Sequence, residues 1–207
     1  MRTGGVAILD RRGRGSERVE TAQDSLLMSR VRDGDVGTLA VLFERHHRAL
    51  FQFFFRLTAN REASEDLVQD VFFRILKYRE TYQPGSQFTT WMYQIARNAH
   101  LDQVKKRKIE LPLPDSGDEH GWELSSHEGS AEQKVSQREQ VSLLRRALAA
   151  LPEEKREVLV LSRFQHLRYE EIGKILRCDA RTVKVRVFRA IRELGRHYFE
   201  LAGEKAS

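Results

Sequence analysis

Residues 169–196 hold the densest set of side chains able to recognise a polyanion. Ile172, Ile175 and Leu176 fall at helical spacing within Tyr169-Glu170-Glu171-Ile172-Gly173-Lys174-Ile175-Leu176, and Arg177-Cys178-Asp179 makes a short turn. The stretch that follows places Val183, Val187, Ile191 and Leu194 on one face. Arg181, Val185, Arg189, Arg192 and Arg196 lie opposite, flanked by Lys184, Arg186 and Phe188. A short helix, a tight turn and a longer helix with a basic outer face is the helix-turn-helix arrangement. Long cationic side chains on such a face donate to guanine edges in the major groove or hold phosphates and set register. The plainer alternative is an amphipathic helix whose basic face is only solvated.

Two further groups of polar residues invite a chemical reading. Asn98, Asp102, Gln103, Lys105, Lys106, Arg107 and Lys108 gather at the end of one helical pattern, and the 78–88 loop before it mixes aromatic, amide and basic side chains. Aromatic rings beside cations suit single-stranded nucleic acid, whose bases are unstacked. Glu65, Asp66, Gln69 and Asp70 form an acidic helix face that would repel DNA. It reads as a solvated face or as a docking face for a protein.

The elements that must carry these groups are helical. Leu26, Leu27 and Val31 open the pattern, and Asp33-Gly34-Asp35 makes a turn. A second helix presents Leu39, Leu42, Phe43, Leu50, Phe53, Phe54 and Leu57 as a broad apolar face. A third, over about 61–79, stacks Leu67, Val71 and Ile75, and Gln83-Pro84-Gly85-Ser86 breaks it. A fourth, over about 89–108, turns Trp91, Ile95 and Ala99 inward. Seven of the eleven phenylalanines precede residue 74, which makes them core residues rather than an aromatic binding surface. Two prolines, three glycines and several serines mark 109–134 as a linker, and helices resume near Val135. Residues 1–22, rich in Gly, Arg and Ser, read as a flexible tail, with a short helix near 18–27 as the alternative. The expectation is an all-α chain of two helical units: a tail over 1–23, a first unit over 24–108, an acidic linker over 109–137 and a second unit over 138–207.

Charge and composition narrow the function. Thirty-six Lys and Arg against thirty Asp and Glu give a net charge of +6. Seven basic side chains lie in 177–198, and Lys105-Lys106-Arg107-Lys108 adds a second cluster, whereas 109–133 carries seven acids and no Lys or Arg. Positive charge concentrated in two places points to nucleic acid. No apolar run is long enough to span a bilayer, and the arginine-rich start does not read as a secretory signal, so a cytoplasmic protein without membrane insertion is expected. Cys178 is the only cysteine, which excludes an internal disulfide. His46-His47, His100, His120, His127, His166 and His197 show no metal-ligand or catalytic spacing, and no phosphate loop or nucleophile elbow appears. Neither an enzyme nor a cofactor is expected.

Glu65-Asp66-Leu67-Val68-Gln69-Asp70-Val71-Phe72, with Phe88-Thr89-Thr90-Trp91-Met92-Tyr93-Gln94-Ile95-Ala96-Arg97-Asn98 and Asp102, resembles region 2 of bacterial sigma factors, in particular the small extracytoplasmic-function group. Leu151-Pro152, Tyr169-Glu170-Glu171-Ile172, and Thr182-Val183-Lys184 through Arg186, Phe188, Arg189 and Ala190 resemble that group's region 4. The resemblance runs from Ser25 to about Tyr198 with no region 3. It implies an initiation factor that binds core RNA polymerase, directs it to −10 and −35 promoter elements, promotes opening and is then released. Core polymerase, through the coiled coil of its largest subunit and its flap, promoter DNA and an anti-sigma factor are the implied partners. Glu65, Asp66, Gln69, Asp70 and Phe72 would dock on the polymerase. Tyr78, Gln83, Phe88, Trp91, Asn98, Asp102, Lys105 and Arg107 would handle the −10 element. Arg181, Thr182, Lys184, Val185, Arg186, Phe188 and Arg189 would read the −35 element, Arg186 through phosphate, and the acidic linker would occupy the nucleic-acid channel. Arg181 and Val185 depart from the family's common glycine and small polar residue. Gly173 replaces a usual alanine, at a cost of about 1 kcal/mol for a helix interior. A helix-turn-helix regulator that acts on duplex DNA without joining polymerase is the competing function.

Overall fold

The computed structural model describes residues 13–109 and 131–204, with side chains over 22–106 and 139–203; every element among them is helical. The sequence expectations for residues 1–12, for 110–130 and for the Arg107 side chain lie outside the described residues. Eight α-helices follow in order: α1 Gly13–Arg32, α2 Leu39–Thr58, α3 Arg61–Lys77, α4 Phe88–Ile109, α5 Ala131–Ala149, α6 Glu153–Leu159, α7 Tyr169–Leu176 and α8 Ala180–Glu204. Single 3-10 turns precede α2 and follow α3, and one π-turn, Val160–Phe164, extends α6.

Helix α1 begins at Gly13, well inside the stretch read as a tail. Its N-terminal half lacks apolar periodicity, so periodicity could not find it. What fastens its C-terminal half is tertiary: Met28 and Val31 are fully buried, and Asp24 is buried between Arg45 and His46 of α2, each at 2.7 Å. Burial alone would raise the Asp24 carboxyl, but hydrogen bonds from His46 and Arg45 outweigh it and hold the group below the usual carboxylate range.

The first unit closes around the aromatic face of α2. Leu50, Phe53 and Phe54 are fully buried against Leu67, Val71 and Ile75 of α3 and Met92 and Ala96 of α4. Ala59, at φ 53, turns the chain out of α2, and its N–H donates to the Phe55 carbonyl at 2.9 Å. Asn60 then caps α3, accepting the Ala63 N–H at 2.7 Å, so one turn of chain reverses direction with its polar groups satisfied.

In the second unit, α5, α6 and α7 each pack on α8, burying Leu143, Ala147 and Leu148 of α5, Val158 and Leu159 of α6, Ile172 and Ile175 of α7, and Val183, Val187 and Ala190 of α8. Ala190, rather than the expected Ile191, continues the inward stripe of α8, three residues after Val187, and Ile191 is exposed.

The glycine inside α7 has a specific cause. A Cβ at Gly173 would stand 2.6 Å from the Cys178 carbonyl oxygen, where α7 gives way to the turn before α8. The cost expected from helix propensity is the wrong sign in this setting, since alanine would force backbone apart. Gly173→Ala is expected to lower stability by about 1–2 kcal/mol, the overpacking cost exceeding the propensity gain of about 1 kcal/mol. A denaturant midpoint at or above that of the parent would refute it.

The two units touch. A continuous apolar core runs from Met28 to Ala190, and α4 lies against α7 while α2 meets α5, α6 and the π-turn.

Candidate nucleic-acid and polymerase interfaces

Three surfaces carry the residues singled out in the sequence. The first is α8. Asp179 accepts the Thr182 N–H at 2.7 Å and its hydroxyl at 2.9 Å, which starts the helix and holds the aspartate carboxyl below its usual range. Thr182 is thereby engaged in the cap. Arg181, Lys184, Val185, Arg186, Phe188 and Arg189 all stand exposed, with Phe188 at 61% and Arg192 5.9 Å over its ring. This face pairs cations with a bare aromatic and a β-branched side chain, the mixture needed for phosphates, guanine edges and thymine methyls.

The second surface is the outer side of α3. Asp66 and Gln69 are exposed. Glu65 pairs with Arg61 at 2.9 Å, and Asp70 pairs with Arg74 at 3.0 Å. Phe72 requires correction: at 7% exposure, edge-on to Phe43 at 4.9 Å, it is a core side chain that no partner can reach. Phe73 stands out instead at 65% exposure, four residues after Gln69 and seven after Asp66 on the same face. Helical spacing from those two residues would have singled it out. Beside it, α2 and α3 enclose a groove of about 730 Å³ lined by Phe43, His47, Phe51, Glu65, Val68 and Gln69. Phe43, expected in the core, stacks on His47 and is partly exposed there.

The third surface is α4 with its preceding loop. Trp91, Asn98, Asp102 and Lys105 follow one another at spacings of seven, four and three, which sets them in a line along one side. Asn98 and Lys105 are exposed, and Trp91 is half-buried, edge-on to Tyr82 at 5.2 Å. Tyr78 and Gln83 are exposed in the loop, and the Lys77 ammonium lies 5.4 Å from the Tyr78 ring. Phe88 is the second correction: it is fully buried, packed near His46 and Trp91, and anchors the start of α4 instead of meeting a base. Asp102 is drawn into a pairing with Arg74 at 2.8 Å that ties α4 to α3.

Among the described residues no cluster of His, Cys, Asp and Glu could hold a metal, and no helix is long and apolar enough to cross a membrane.

Residues 42–109 match the model of sigma-70 region 2, and residues 142–194 match that of sigma-70 region 4. The chain is 31% identical over 167 residues to the ECF RNA polymerase sigma factor SigE of Mycolicibacterium smegmatis, a match of 80% of this chain but only 63% of that protein. It is 30% identical over 179 residues to the RNA polymerase sigma-E factor of Escherichia coli, covering 83% of this chain and 92% of that one. In fold it is similar to the sigma factor RpoE of Bartonella quintana solved with the anti-sigma factor NepR, with a TM-score of 0.62, 24% identity, and 76% and 94% of the two chains covered.

Proposed function

The chain belongs to the extracytoplasmic-function group of RNA polymerase sigma factors, and on that premise we propose that it docks on core polymerase through α3, handles the −10 element with α4 and its loop, and reads the −35 duplex with α8. The observation that carries this reading is the coexistence, in one chain, of an exposed acidic-aromatic face and two exposed faces bearing cations. DNA repels the first and attracts the other two, so one protein partner and one nucleic acid are engaged at once.

Asp66, Gln69 and Phe73 supply the polymerase contact, with the Phe43–Phe51 groove beside them to take an apolar side chain. Asn98 and Lys105 contact the melted strand beside Trp91, and Tyr78 offers an exposed ring for stacking. Arg181, Lys184, Val185, Phe188 and Arg189 face the −35 bases, and Arg186 faces phosphate. An anti-sigma factor is part of the proposal, as is a cytoplasmic site of action. The fold likeness to a sigma factor held by such a partner supports the former.

The deciding experiment mixes the full chain with sigma-free core polymerase and follows co-elution in gel filtration. A stoichiometric complex is expected. Tight binding to duplex DNA without any core complex would replace this reading with that of a free-standing regulator.

A further inference from the structure

Asp24 and Ser25 stand where the buried stripe of α1 turns polar. Asp24, Met28 and Val31 follow one another at spacings of four and three, and all three are buried. Met28 and Val31 supply the packing; a carboxylate on the same stripe is desolvated and contributes geometry rather than stability. We propose that Asp24 and Ser25 are positioning residues for the 82–88 part of the loop before α4, and through it for the side chains that meet the melted −10 strand. The proposal rests on the sigma-factor reading for its DNA consequence.

This part of the loop is rigid within itself. The Ser86 N–H donates to the Gln83 carbonyl at 3.0 Å across Pro84 and Gly85, and Gly85 takes φ 81, as the third position of a type II turn requires. The Tyr82 hydroxyl closes the turn by donating to the Ser86 carbonyl at 2.5 Å. What the loop cannot set by itself is its place on the molecule.

Helix α1 sets that place at both ends of the loop. At the first, Tyr82 is 1% exposed. Burial pushes its phenol up, a hydrogen bond from the Ser25 hydroxyl opposes the rise, and the nearby Asp24 charge adds to it. At the second, the Ser25 Oγ accepts the Phe88 N–H over a long 3.4 Å, at the start of α4, where helix N–H groups lack carbonyl partners. Asp24 also reaches Phe88 through His46. One carboxylate oxygen takes Arg45 and the other takes His46 Nε2, each at 2.7 Å, and the His46 ring lies 5.3 Å from that of Phe88.

The groups offered to DNA at this end hang from those two anchors. Gln83 follows Tyr82 directly and is exposed. Trp91 lies edge-on to Tyr82 at 5.2 Å, one helical turn after Phe88 and 6.5 Å from its ring. Tyr78 is separated from Tyr82 by a single 3-10 turn, Arg79–Thr81. Binding groups work when supporting side chains hold them within about 0.5 Å of the productive geometry, and α1 gives that support without touching the strand.

The test uses the full chain with Trp122→Phe, which leaves Trp91 as its single tryptophan. Ser25→Ala removes the shared hydroxyl from a helix that alanine otherwise favours, and Asp24→Asn removes the charge that orients His46. Both should raise acrylamide quenching of Trp91 about twofold through local loosening, with helical circular dichroism unchanged. Ser25→Ala carries the test should Asp24→Asn lose helix. The chain is then assembled with sigma-free core polymerase on a promoter that the parent selects from a randomised pool, and permanganate oxidation of unpaired thymines reads the opening. Ser25→Ala should open about one tenth as much, the scale of one stacked base. Core affinity should stay at the parent level, and Ser25→Thr, which keeps the hydroxyl, should restore opening. Unchanged quenching, opening at the parent level or an equal loss in Ser25→Thr overturns the proposal. So does a parallel fall in core affinity, which would make α1 part of the docking surface or of the general fold. If the parent forms no core complex, the sigma-factor reading fails instead, and Trp91 quenching still decides whether α1 holds the loop.

Discussion

Phe73→Ala is expected to weaken binding to core polymerase by about 2 kcal/mol or more, roughly a thirtyfold loss, while leaving the unfolding midpoint nearly unchanged. The adjacent Phe72→Ala should do the reverse. Phe73 is 65% exposed on the line of Asp66 and Gln69, so its ring is solvated in the free chain and would be buried by docking through this face. Exposed aromatics beside charged residues are the anchors that interfaces favour, since they bring large apolar area at little entropic cost. Phe72 is 7% exposed and supports Phe43, so its truncation should cost about 3–5 kcal/mol of stability through the cavity it leaves. Asp66→Arg should weaken core binding further and make the remainder less sensitive to salt, because the lost term is electrostatic. Titration of core polymerase with labelled chain, beside urea unfolding of each variant, separates the two phenylalanines. A Phe73→Ala chain that binds core as the parent does would remove α3's outer face from the docking surface.

The second large effect belongs to α8. Lys184→Ala is expected to cost about 1–3 kcal/mol on the preferred −35 duplex and to level the preference at one base position. Arg186→Ala should weaken binding to all duplexes alike and reduce the slope of log affinity against log salt by about one charge. Both side chains are exposed on a helix whose start is fixed by the Asp179–Thr182 cap, so neither substitution should disturb the fold. Fluorescence anisotropy on the selected duplex and on single-base variants, repeated at three salt concentrations, gives both quantities. A uniform loss from Lys184→Ala would demote it to a phosphate contact.

Much of this was legible in the order of residues. Leu67, Val71 and Ile75 of α3 and Val183 and Val187 of α8 are buried where a repeat of 3.6 puts them, and Asp179 opens α8 as turn chemistry expects. The errors have a common physical origin. Their place in a motif assigns Phe72 and Phe88 to partners, although an aromatic side chain in a motif is as readily the pillar that holds it. Gly173 looked like a defect because propensity counts only the helix it sits in, whereas its missing Cβ makes room for a carbonyl from the following turn. Phe73, which the clustering of phenylalanines before residue 74 assigns to the core, is 65% exposed on the line that helical spacing draws from Asp66 and Gln69.

The sequence by itself determined the helices from α2 onward, the helix-turn-helix with its basic face, the acidic face of α3 and the family. Each depends on spacing along one or two helices, and such patterns act through local backbone geometry. Tertiary structure alone decided which phenylalanine is solvated, that Asp102 is claimed by Arg74, that Asp24 fastens α1, and that the C-terminal unit lies across α4. Those outcomes depend on groups far apart in the chain competing for the same partner: Glu157 finds Arg97 sixty residues away, and Arg156 finds a carbonyl at the end of α2. No periodicity encodes such a meeting, because the free energy that selects it arises only when two surfaces leave water together.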